Sequence, residues 1–131
     1  MNDRKLEIIC ALGAIWWGIW VGNTWWETFT LAAAYTWMMQ IAPEWFWGAG
    51  VGLIGILQLS MVLWNRCLLW RVAMALVSIF TWLLVTLAFV LGNWHTTGVV
   101  MYGMLTLIQT FIYIDNLTIW QCQRNGYHYV K

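Results

Sequence analysis

The chain has 131 residues, of which six are basic and five acidic, for a formal net charge of +1. Hydrophobic types make up 63% and charged types 8%, against roughly 45–50% and 25% in soluble domains. A soluble domain this small must cover a large surface with polar groups, so a soluble monomer is excluded. The near-zero charge also leaves no basic footprint for nucleic acid.

A transmembrane helix needs about 20 predominantly apolar residues. Four segments meet that requirement, at about 6–22, 44–64, 72–92 and 98–114. Backbone polar groups find no water in lipid, so each span is expected to be helical. The runs are continuous and show no in/out alternation, which speaks against strands. The expected fold is therefore a single all-α integral membrane domain. It has four transmembrane helices, a short outer interfacial helix and both termini cytoplasmic.

The first span follows Arg4 and Lys5 and carries Ala14, Gly18 and Gly22 at four-residue steps. Small residues at that spacing let two helix backbones approach closely. A basic start before an apolar run also suits a secretory leader. However, Ala32, Ala33 and Ala34 lie too far beyond the run to serve it as a cleavage site, so the span is expected to be retained.

The connector after it contains Trp26, Phe29, Ala33, Trp37 and Ile41 at spacings of three and four. That pattern predicts a helix over about 26–41, either lying in the outer leaflet or packed on protein. Pro43 and Glu44 open the second span, where proline suits the first turn and a carboxylate faces the positive end of the helix dipole. Within that span Gly48 and Gly52 form a G-x-x-x-G pair, with Gly55 close behind. These faces serve either contact within one bundle or contact between subunits. A symmetric homo-oligomer is expected, with the second span at or near its interface.

Arg66 and Arg71 separate the second and third spans, and Arg124 and Lys131 follow the fourth. The connectors after the first and third spans contain no Lys or Arg. All six basic residues thus fall on one side, which is cytoplasmic by the positive-inside rule. Cys10, Cys67 and Cys122 fall on or near that side, where thiols stay reduced. The tail, 115–131, is mixed in character and is expected to lie against the inner headgroups. Its Asn116-Leu117-Thr118 sequon would stay unmodified there.

The chain has thirteen tryptophans, and nine of them mark the boundaries. Trp25, Trp26, Trp37, Trp45, Trp47 and Trp94 cluster at the outer one, and Trp64, Trp70 and Trp120 at the inner one. Their expected role is anchoring at headgroup level. Trp16, Trp17 and Trp82 sit deeper, so their indole N–H groups need partners or must reach the interface.

Gln58, Ser78 and Gln109 each lie about six residues from the inner end of their span, roughly 9 Å deep at the helical rise. Thr81 and Thr106 form a second level slightly deeper. Such residues serve either as hydrogen-bonded glue between helices or as the lining of a conduction path. The familiar catalytic patterns are missing: His95 and His128 fall on opposite sides, and no phosphate loop or nucleophile elbow occurs. No enzyme activity, cofactor or metal is expected.

The run Trp26-Glu27-Thr28-Phe29, the later Tyr35, and Ala42-Pro43-Glu44-Trp45-x-Trp47-Gly48 at the second span resemble small four-span membrane proteins of tailed phages and prophages. Thr97-Gly98-x-x-x-Tyr102 at the fourth span fits the same layout. The resemblance implies a bacterial inner membrane and a phage-related role, and it transfers no functional residues. Three functions remain open. The chain could be a non-catalytic, self-associating protein, most concretely holin-like in permeabilising the membrane. It could be a small channel or transporter using the Gln58/Ser78/Gln109 level. Or it could be an interaction or superinfection-exclusion protein whose partner, besides the lipid bilayer, is a host membrane protein.

Overall fold

The computed structural model describes residues 3–23, 35–64, 68–93 and 97–125. Five helices lie among them: α1 Asp3–Gly22, α2 Thr36–Ile41, α3 Glu44–Trp64, α4 Leu68–Asn93 and α5 Thr97–Arg124. No strand occurs among the described residues. The regular structure among the described residues is all helical, and α1, α3, α4 and α5 are each long and apolar enough to cross a membrane.

The four long helices alternate in direction. The starts of α1 and α4 therefore meet the ends of α3 and α5 at one end, the basic end, with Arg4, Lys5, Arg71 and Arg124. Helix α1 lies along α3, and α4 lies along α5. Smaller contacts of α3 with α4, and of α1 with α5, close the bundle.

Two boundaries differ from the hydropathy reading. Helix α4 begins at Leu68, four residues before the expected start of the third span. Arg71 is thus a helical residue rather than a connector residue. Helix α5 runs without a break to Arg124, ten residues past the expected end of the fourth span, so residues 115–124 are not a separate tail. In each extension a polar residue is bonded inside the bundle: Arg71 and Asn116 both donate to Glu7, while Asp115, at which the apolar run ends, is exposed.

The exterior is apolar, with Trp16, Phe80, Val100 and Phe111 all exposed. The interior holds two apolar clusters. Cys10, Ala75 and Ile112 form one near the basic end. A larger one, with Trp82, Val85, Phe89, Tyr35 and Met38, fills the opposite half.

Of the helix expected over 26–41, α2 covers Thr36–Ile41; residues 24–34 lie outside the described residues. Met38 is fully buried, and the segment packs on α4. The described part therefore rests on protein. Trp25, Trp26, Glu27, Arg66, Cys67, Trp94, His95, His128 and Lys131 also lie outside the described residues.

Candidate functional site

The polar side chains inside the bundle fall into three layers. Helix α5 sets their spacing: Tyr102, Gln109 and Asn116 stand seven residues apart. Seven residues are two helical turns, about 10 Å of rise, so the three share one face.

The middle layer joins three helices. Gln58 Nε2 donates to Gln109 Oε1 at 3.2 Å, and Ser78 Oγ donates to Gln58 Oε1 at 2.9 Å. A longer contact of 3.5 Å runs from Gln109 Nε2 back to Gln58 Oε1. All three residues are buried, Gln109 completely. An amide carries two donors and one carbonyl acceptor, and each glutamine here meets the other's complementary group.

The layer nearest the basic end is charged. Arg71 on α4 donates from Nε to Glu7 Oε2 at 3.1 Å and from Nη2 to Glu7 Oε1 at 2.5 Å. Asn116 Nδ2 on α5 donates to Glu7 Oε1 at 2.9 Å. Glu7 is 2% exposed and Asn116 1%, so water does not carry these groups. The two-pronged pair matches the guanidinium fork to the carboxylate, and the amide occupies a further lone pair. The reading of the sequence missed Glu7, took Asn116 only as part of an unmodified sequon and treated Arg71 only as a topology marker. The seven-residue step was the available signal: it leads from Gln109 to Asn116 and from Ser78 back to Arg71.

The third layer is aromatic. Trp17 Nε1 donates to the Tyr102 hydroxyl at 2.8 Å, which gives one of the deep indoles its partner. Tyr102 stacks on Trp82 at 5.8 Å and 11°, and its hydroxyl lies 3.4 Å from that of Tyr35. Burial, and then the neighbouring Tyr102, push the Tyr35 hydroxyl above its ordinary range, so it stays protonated. The segment around Tyr35 is fastened further. Trp37 Nε1 donates to the Leu91 carbonyl at 3.0 Å, and Trp47 Nε1 to the Met38 carbonyl at 3.0 Å.

These layers do not make a continuous path. Cys10, Ala75 and Ile112 are buried together and fill the space between the charged and amide layers. The expected second level also divides. Thr106 lies 3.5 Å from Thr86, while Thr81 bonds the carbonyl of Val77 in its own helix. Thr81 instead borders an apolar groove with Phe46 and Gly50.

The glycine faces meet each other inside one chain. A Cβ added at Gly18 would stand 2.5 Å from the Gly52 Cα and 2.7 Å from the Gly48 carbonyl oxygen. One added at Gly48 would collide with the backbone of Gly22, and one at Gly55 would lie 2.8 Å from the Ala11 carbonyl. Ala14 is buried in the larger apolar cluster. These residues therefore close the α1–α3 contact, and Gly52 packs within the chain against Gly18.

The boundary tryptophans divide by role. Trp45, Trp64 and Trp70 are exposed at helix ends. Trp37 and Trp47 use their N–H groups to hold the 35–41 segment. Trp120 lies under the Arg124 guanidinium, 5.5 Å from the ring centroid. Glu44 stands in the first turn of α3, with one oxygen enclosed and without a hydrogen-bond partner. Among the described residues, no three His, Cys, Asp or Glu side chains are grouped so as to hold a metal ion.

No family model matches the chain, and no curated protein or solved structure matches it.

Proposed function

We propose that this chain is a non-catalytic, phage-type protein of the bacterial inner membrane that works by holding another membrane protein. Both termini lie in the cytoplasm, and the 35–41 segment is the contact element. The observation that supports this most directly is the fastening of that segment. Tyr35, Trp37 and Trp47 tie it to α3, α4 and α5 by side-chain hydrogen bonds, while Trp37, Met39 and Ile41 remain exposed. A surface held in place before binding loses less conformational freedom on association. The polar layers support a structural role better than a conducting one. Their groups are mutually satisfied and an apolar layer interrupts them.

Holin-like permeabilisation by self-association is the second reading. Ala49 and Gly50 are exposed on α3, and an added Cβ at Gly50 meets nothing within 4 Å. A second copy could approach closely there.

Timed induction in a bacterium, with a potential-sensitive dye and a photocrosslinking residue at Ile41, separates the two. The expected result is an adduct with a different protein while the membrane potential holds. Abrupt depolarisation, with adducts only between copies of the chain, would replace the first reading by the second.

A further inference from the structure

Asn116 ties α5 to Glu7 of α1 near the basic end. Farther along, a groove of about 710 Å³ opens between the same two helices. Both helices are apolar spans, so the groove faces lipid and its occupant comes from the bilayer. The volume lies in the range of about 300–1,000 Å³ that holds small ligands, and such sites combine apolar and aromatic walls with a few placed polar groups.

Gly13, Trp16, Trp17, Trp82, Phe89 and Tyr102 line it. Trp16, 69% exposed, and the half-buried Tyr102, backed by the buried Trp82, offer aromatic surface, which favours another flat ring over a flexible chain. Tyr35, Thr97 and Tyr102 bring hydroxyls to its lining, and the Tyr102 hydroxyl lies against the aromatic wall. It accepts from Trp17 at 2.8 Å, and its contact with Tyr35 is long at 3.4 Å. Either hydroxyl can donate in that contact; with Tyr35 donating, the Tyr102 O–H is left to donate to a guest. In an apolar groove, a hydroxyl donor selects a guest with an acceptor.

We propose that this groove binds a ring-bearing lipophile with a carbonyl acceptor, the chemistry of an isoprenoid quinone. The ring lies against the aromatic wall, and the Tyr102 hydroxyl donates to the carbonyl. Binding alone is proposed, with no transfer of electrons.

The test is equilibrium binding of decylubiquinone to the protein in nanodiscs, with empty nanodiscs as the background. Gly13→Leu is the informative variant. An added Cβ there meets nothing within 4 Å, so the fold holds while the side chain fills the groove. It should weaken binding at least tenfold. Tyr102→Phe should weaken it about fivefold, the effect of one hydrogen bond. Gly50→Leu, outside the groove, should bind like the wild type. Thermal unfolding confirms that each variant is folded. Wild-type binding no tighter than the background, or unchanged binding in Gly13→Leu, overturns the proposal. So does displacement of the quinone by decane at equal concentration, which would make the groove a slot for any acyl chain.

Discussion

Gln58 shows how a single polar residue behaves when lipid surrounds the bundle. Its carbonyl receives Ser78 and its amide reaches Gln109, so replacing it strands two partners at once. Gln58→Leu should lower stability by about 1 kcal/mol, the scale of interhelical hydrogen bonds in membranes. The double variant Gln58→Leu/Gln109→Leu should recover part of that loss, because an apolar pair leaves fewer donors unmet. Denaturant titration in mild detergent measures both. Glu7 obeys the same logic, but a buried charge raises the stakes. Arg71→Met leaves a buried carboxylate without its cation and should cost about 3 kcal/mol. Glu7→Gln/Arg71→Met removes the charge on both sides and should be milder. If the single variant proves the more stable, the pair is not what holds the three helices together at that end.

At the scale of helices, two kinds of seam hold the bundle. Between α1 and α3 the seam is backbone on backbone, because Gly18, Gly48 and Gly55 leave no room for a side chain. Gly48→Leu should therefore separate these helices and cost about 2 kcal/mol or more. Gly50→Leu, only two residues away but facing open space, should be neutral. A disulfide between cysteines placed at 15 and 56 on the two helices, compared in both backgrounds, reads the separation directly. Along α5 the seam is chemical: Tyr102, Gln109 and Asn116 present a hydroxyl, an amide and a second amide to successive layers. The small residues were legible in the sequence, but their partner was not. A G-x-x-x-G face looks the same whether it meets its own chain or a copy. Only the observed α1–α3 approach assigns it.

For the whole molecule, the basic residues make a prediction about orientation. Arg4, Lys5, Arg66, Arg71, Arg124 and Lys131 all fall towards one end of the helix pattern, and the positive-inside rule places that end in the cytoplasm. Reporter fusions at residues 1, 68 and 131 should read cytoplasmic, and fusions at 35 and 96 periplasmic. A periplasmic reading at 131 would reverse the map. Arg71 adds a condition to this picture. It is 10% exposed in its side chain and paired with Glu7, so it contributes less free positive charge than its position suggests. Removing Arg71 should disturb stability more than topology.

The sequence by itself determined the solvent and the helices. A chain with 63% hydrophobic residues and so few charges cannot live in water, and in lipid an unbroken apolar run must satisfy its backbone as a helix. It also placed Gln58, Ser78 and Gln109 at one depth, since helical rise converts residue number directly into depth. Only the tertiary structure decided which faces meet. Depth is a property of one helix, but rotation about its axis is set by its neighbours. That is why Thr106 found Thr86 rather than Thr81. It is also why Glu7, Arg71 and Asn116, distant in the chain and plain in the hydropathy pattern, became one buried layer: a charge that would end a span when unpaired extends the helix once a partner removes its cost.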